Sequence, residues 1–212
     1  MDAERISDYL HSLSVDDELL NELREYAVKE RVPIVRRETE SFLDTMAALL
    51  KPENTLEIGT AIGYSTIVLA RRSGFVTTIE NYEKRIPLAK ENIKKAGLSD
   101  RVKLIEGDAG EVLSQLAAEK MKYGLIFLDA AKGQYSVWLP MILELMEPGS
   151  MLIADNVLQD CTVMESRFAV ARRDRTTHAR MREFLYKIKH DERLTSSVLP
   201  LGDGVSVSVY NR

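Results

Sequence analysis

The chain has 212 residues, enough for one α/β unit with a hydrophobic core and too few for two comfortable domains. Its composition, 45% hydrophobic, 29% charged and 7% aromatic, excludes disordered, collagen-like and coiled-coil classes. A net charge of −4 excludes a globally basic nucleic-acid binder but permits a local basic face. The single cysteine, Cys161, forms no internal disulfide, so a reducing compartment is expected. The N-terminus MDAERISDYLHS lacks an apolar signal core, and no apolar run approaches the ~18 residues of a membrane span. A soluble cytoplasmic protein, away from membranes, is the expectation.

In chain order, the stretch to Leu50 reads as a helical cap. Ile6, Leu10 and Leu13 recur at helical spacing, as do Leu19, Leu20, Leu23 and Ala27. Ser14, before Val15-Asp16-Asp17, reads as a helix start signal, and Pro33 breaks that second helix. Thr39 to Leu50 makes a third helix, with Phe42, Leu43, Met46 and Leu50 on its buried face.

From Asn54 onward, short apolar strands alternate with helical stretches. The strands are Thr55–Ile58, Phe75–Ile79, Val102–Glu106, Gly124–Leu128 and Met151–Ala154. The helices are Ser65–Arg72, Tyr82–Ala96, Glu111–Glu119, Gln134–Leu145 and Thr176–His190. Five β-α units in series predict a parallel sheet with helices on both faces, within one domain spanning the chain. Thr195–Leu199 and Val205–Tyr210 are separated by a connection too short for a crossover helix, so they are expected to pair antiparallel.

The first strand ends in Glu57-Ile58-Gly59-Thr60-Ala61-Ile62-Gly63-Tyr64-Ser65-Thr66. Glycines there permit a tight turn and close approach of a ligand. The spacing is G-x-x-x-G. Neither the dinucleotide G-x-G-x-x-G nor the phosphate-binding G-x-x-x-x-G-K-[ST] is present, so the loop suits a ligand without a pyrophosphate. The missing third glycine also counts against a nucleotide-dependent oxidoreductase. Glu80 closes the second strand, where an acid can accept hydrogen bonds from both ribose hydroxyls of an adenosine. Gly107-Asp108-Ala109 closes the third, where the adenine edge would lie.

The fourth strand ends in Asp129-Ala130-Ala131-Lys132 and the fifth in Asp155-Asn156. If these strands are neighbours, Asp129, Asp155 and Asn156 converge as three oxygen donors, about 5 Å apart strand to strand. Oxygen donors without Cys or His suit Mg²⁺, Mn²⁺ or Ca²⁺ rather than zinc. Lys132 points to the same place. Beside a cation in a desolvated pocket it should lose proton affinity and act as a base, or else steady an oxyanion.

These motifs together resemble the cation-dependent O-methyltransferase family that includes caffeoyl-CoA and catechol O-methyltransferases. The closing Leu199-Pro200-Leu201-Gly202-Asp203-Gly204 adds to the likeness. The resemblance implies a seven-stranded Rossmann-like methyltransferase sheet, mostly parallel with an antiparallel last strand, and a homodimer. It implies that Glu57, Gly59, Ser65, Glu80, Asp108, Ala109 and Asp129 hold S-adenosylmethionine, with Val35 and Thr39 covering it. By the same resemblance Asp129, Asp155 and Asn156 bind the metal, and Lys132 with Asp129 is catalytic. Within the family the chain is similar to bacterial tRNA 5-hydroxyuridine methyltransferases.

The substrate would offer two vicinal oxygens, as a catechol does and as 5-hydroxyuridine does through O4 and its 5-hydroxyl. The run Arg167 to Arg182 holds six arginines, Arg167, Arg172, Arg173 and Arg175 among them, against Asp174. Such a run can receive the phosphates of a tRNA anticodon stem-loop. The expectation is therefore wobble-uridine methylation, with a small catechol or CoA-linked substrate as the alternative.

Overall fold

The computed structural model describes residues 3–13, 17–158 and 162–211. Ser14 and Cys161 lie outside them, so the start signal at Ser14 and the state of Cys161 have no structural counterpart here. Three helices come first: α1 (Ala3–Ser12), α2 (Glu18–Glu30) and α3 (Arg37–Leu50). There follow β1 (Asn54–Ile58), α4 (Tyr64–Ala70), β2 (Phe75–Glu80), α5 (Ile86–Lys95), β3 (Val102–Glu106), α6 (Ala109–Ala118), β4 (Tyr123–Leu128), α7 (Tyr135–Glu144) and β5 (Met146–Ala154). The chain closes with α8 (Arg175–His190), β6 (Leu194–Leu199) and β7 (Val205–Tyr210). Six of the seven strands match the expected positions to within a residue, and β5 begins earlier than expected, at Met146.

The strands form one sheet in the order β3-β2-β1-β4-β5-β7-β6. Pairing is parallel from β3 through β5, and β7 runs antiparallel to both β5 and β6. The order reverses between β1 and β4, and open sheets of this kind take ligands beyond the carboxyl ends at such a point.

Strand β4 is apolar from Leu125 to Leu128 because helices cover both faces of the sheet. Successive residues alternate between two cores. Ile126 and Leu128 of β4 face one core with Leu113, Leu139 and Phe184 from α6, α7 and α8. Leu125 and Phe127 face the other, with Leu20, Leu23, Leu43 and Ile67 from α2, α3 and α4. Helices α2 and α3 therefore share the sheet's core. In α3, Leu43 is fully buried while Phe42, Met46 and Leu50 pack at its margin.

Helix α2 is capped by Asp17, whose carboxylate accepts from the Leu20 amide at 3.0 Å. It ends at Glu30 with Arg31 left-handed (φ 54°), before Pro33 is reached. The segment 32–36 then runs as coil across the carboxyl edge of the sheet into α3.

Candidate active site

The sheet's register builds the site. Ile58 pairs with Leu128, and Leu128 with Ala154, so Gly59, Asp129 and Asp155 emerge side by side from three adjacent strands. Gly59 has φ +102°, and a Cβ there would stand 2.1 Å from the Asp129 carbonyl oxygen. Only glycine lets β1 and β4 approach this closely while the chain turns away. Gly63 (φ +85°) then leads into α4.

A cleft of about 710 Å³ opens over these strand ends. One end is lined by Gly59, Ala61, Ser65, Glu80, Asp108 and Ala109. The Glu80 carboxylate accepts from the amides of Ala61 (2.7 Å), Asn81 (3.0 Å) and Tyr82 (2.9 Å). Asp108 caps α6 through the amides of Gly110 and Glu111. Both acids are thus held rigidly at the rim. Val35 lines the cleft as well, on the coil that crosses it.

The other end holds Asp129, Lys132, Asn156 and Asp203. Lys132 Nζ donates to Asp129 Oδ1 at 2.6 Å and to the Tyr135 hydroxyl at 2.9 Å. Asn156 is left-handed (φ 56°), and its side chain reaches Asp203 at 3.4 Å. Asp155 is 2% exposed and forms the floor rather than the lining. Burial first, and then the charge of Asp129, push its carboxyl up to about 7, with Asp203 adding to the repulsion.

Burial pulls the Lys132 pKa down, but Tyr135 and Asp129 outweigh burial and hold the ammonium above the ordinary lysine range. Two expectations change. Thr39 does not cover the cleft; it is 1% exposed, packed under the Gly202 turn, and its hydroxyl has no partner among the described residues. Glu57 lies beneath the cleft, fully buried, accepting from the hydroxyls of Thr66 and Thr78. Burial raises its carboxyl to about 7, opposed by the hydroxyls of Ser65, Thr66 and Thr78.

None of Arg167, Arg172, Arg173 and Arg175 lines the cleft. The segment borders it instead. Arg180 donates to the Gly133 carbonyl at 2.9 Å, on the short turn Lys132–Gln134 that carries the lysine. Arg167, Arg172 and Arg173 are exposed, while Arg175 is tied to the Val170 carbonyl. Tyr64 and Trp138 also line the cleft, and Tyr135, which no sequence motif singles out, is buried under it. The only sequence signal for Tyr135 was its place one helical turn after Lys132.

A glycine turn at the switch point, acids on the next two strand ends and a polar pocket beside them define a Rossmann-like methyltransferase. Solved structures agree. An O-methyltransferase from Bacillus cereus in complex with SAH is 30% identical, covers 98% of this chain and 97% of that one, and superposes with a TM-score of 0.87. The O-methyltransferase TomG from Streptomyces achromogenes, in complex with SAM, is 25% identical over all of both chains with a TM-score of 0.88. The family model described as O-methyltransferase matches residues 10–210, and this chain belongs to that family. Among curated relatives, a caffeoyl-CoA O-methyltransferase of Citrus natsudaidai is 30% identical across 98% of this chain and 95% of its own length. A catechol O-methyltransferase of Niastella koreensis is 38% identical over 128 residues, a match spanning 58% of each protein.

Proposed function

We propose that the chain transfers a methyl group from S-adenosylmethionine to one of two vicinal oxygens of its substrate, with a divalent cation held by Asp129, Asp155 and Asn156. The observation that carries this reading is the juxtaposition of two half-sites in one cleft. The Glu80–Asp108 rim suits an adenosine, and the Asp129–Asp155–Asn156 floor suits a hard cation. That floor passes a simple test of fit. Asp155 is a buried carboxyl repelled by Asp129 and Asp203, and a cation relieves that repulsion. The donors are two carboxylates and a carboxamide. No group of three His, Cys, Asp or Glu side chains is placed to hold a metal among the described residues.

When bound, such a cation supplies positive charge that favours the ionised form of a substrate hydroxyl. The protein's own residues do the rest. Glu80 and Asp108 orient the donor, and the coil at Val35 limits water above it. Lys132, held by Asp129 at 2.6 Å and by the Tyr135 hydroxyl at 2.9 Å, stands beside the reacting oxygen, where its charge offsets the charge that develops there. The substrate hydroxyl releases its proton to solvent, and the oxygen anion gains the methyl as the sulfur–methyl bond breaks, leaving a neutral thioether. The SAH and SAM complexes of the two similar structures support this choice of donor.

For the substrate we favour 5-hydroxyuridine at the tRNA wobble position, converted to 5-methoxyuridine. Six arginines against one aspartate beside the Lys132 turn support a phosphate-bearing partner. A small catechol or caffeoyl-CoA-type substrate is the second reading, supported by the activities named for the relatives. Nucleoside analysis of tRNA from a deletion strain separates them. Accumulated 5-hydroxyuridine with loss of 5-methoxyuridine is expected, whereas an unchanged profile would leave the small-molecule reading. Asp155→Ala should remove methyl transfer while SAH affinity, measured by calorimetry, survives; full activity in excess chelator would refute the cation role.

A further inference from the structure

Tyr135 opens α7 directly beneath the cleft. Its ring is fully buried and meets Phe184 of α8 edge-on, with centroids 5.4 Å apart. A phenol hydroxyl has one proton and two acceptor lone pairs. Here all three are engaged, and every partner belongs to the proposed catalytic edge. The hydroxyl accepts from Lys132 Nζ at 2.9 Å and from the Ala130 amide, next to Asp129, at 3.3 Å. Its proton is shared between the Leu128 carbonyl, which precedes Asp129, at 3.0 Å and the carbonyl of Asp155 itself at 3.3 Å. One oxygen therefore ties the end of β4 to the end of β5 and aims the lysine between them.

We infer that Tyr135 is a positioning residue. Through its hydroxyl it fixes the spacing of Asp129 and Asp155 and the direction of Lys132, and so sets cation affinity and turnover without touching substrate. This rests on the cation-assisted methyl transfer proposed above. Partners that orient metal ligands typically change affinity or activity about 10–100-fold when removed.

The test is Tyr135→Phe, which keeps the ring and deletes the hydroxyl. Mn²⁺ binding to the full chain is followed by electron paramagnetic resonance of the free ion, in the cold, well below the melting transition. Expected are Mn²⁺ binding weakened about 10–100-fold, a lower kcat, and an unchanged KM for S-adenosylmethionine. Phe184→Leu loosens the same packing but spares the hydroxyl; it should lower the melting temperature and leave Mn²⁺ affinity intact. Wild-type Mn²⁺ affinity and kcat in Tyr135→Phe would overturn the inference, as would an equal loss of Mn²⁺ affinity in Phe184→Leu. A wild-type protein that binds no Mn²⁺ would instead sink the cation reading, and this inference with it.

Discussion

Glu57 shows how a residue can be legible by position and hidden in character. Its place before the glycine turn is plain in the sequence. Its full burial is not, because that depends on β2 and β4 flanking β1 and on α4 lying above. In the fold the carboxyl holds its proton up to about 7 against an ordinary 4.5, chiefly through burial. Between those values the folded state binds the proton and the unfolded state releases it. Stability is thus complete below 4.5 and falls as pH rises through 7. The loss is on the order of 3 kcal/mol at alkaline pH. Glu57→Gln cannot ionise and should show a flatter profile. Urea unfolding at pH 8 should find the variant more stable than wild type, with the gap closing toward pH 4.5. A gap of the same size at both ends would mean that Glu57 is not the titrating group. The same dependence on surroundings explains Lys132. Its nearness to Asp129 was readable from a three-residue spacing, but its raised proton affinity depends on Tyr135, whose hydroxyl reaches it only once α7 docks.

At the scale of elements, strands were the most readable, since buried parallel strands are short apolar runs with sharp ends. The exception is β5, expected from Met151 but paired from Met146. Pro148 and Gly149 look like a stop; the ladder with β4 absorbs them through a register shift between Tyr123 and Leu125. Helix α5 begins at Ile86 rather than Tyr82 because residues 83–85 form a turn and Pro87 suits only the first turn of a helix. The cap of α2 is Asp17, the last residue of the Ser14-Val15-Asp16-Asp17 start signal. Asp17 also pairs with Arg71 of α4 at 2.5 Å, joining the helical cap to the glycine-loop helix. Burial is the largest single influence on Asp17 and opposes its charge, but Arg71 and the Leu20 and Leu19 amides together outweigh it and hold the carboxyl below its ordinary value. Asp17→Ala should cost about 1 kcal/mol from the cap. The half-exposed ion pair adds at most a few tenths after screening. A fall in melting temperature of roughly 2–4 °C is expected by calorimetry. No change would show that α2 is held by Leu20, Leu23 and Ala27 alone.

For the whole molecule, charge distribution matters more than total charge. The chain carries −4, yet its six arginines between Arg167 and Arg182 face a single aspartate, so the remainder is strongly acidic. A polyanion would be repelled by most of this surface and drawn to this run, where Arg167, Arg172 and Arg173 are exposed and Arg180 meets the Lys132 turn. The sequence revealed the run but not its placement. The run meets the edge of the cleft through Arg180, and Arg167, Arg172, Arg173 and Arg175 do not line it, which suits contact with a backbone while a base enters. Such binding should weaken steeply with salt, since each phosphate contact releases counterions. Arg172→Glu with Arg173→Glu should reduce the slope of log affinity for tRNA against log salt by about 2, one unit per lost contact. Turnover of a free catechol should be indifferent to both the salt and the variant, because neither arginine reaches the cation floor. Filter binding across a salt series, beside a catechol assay, decides the matter. Parallel losses on both substrates would place these arginines in the architecture of the cleft rather than on a face for RNA.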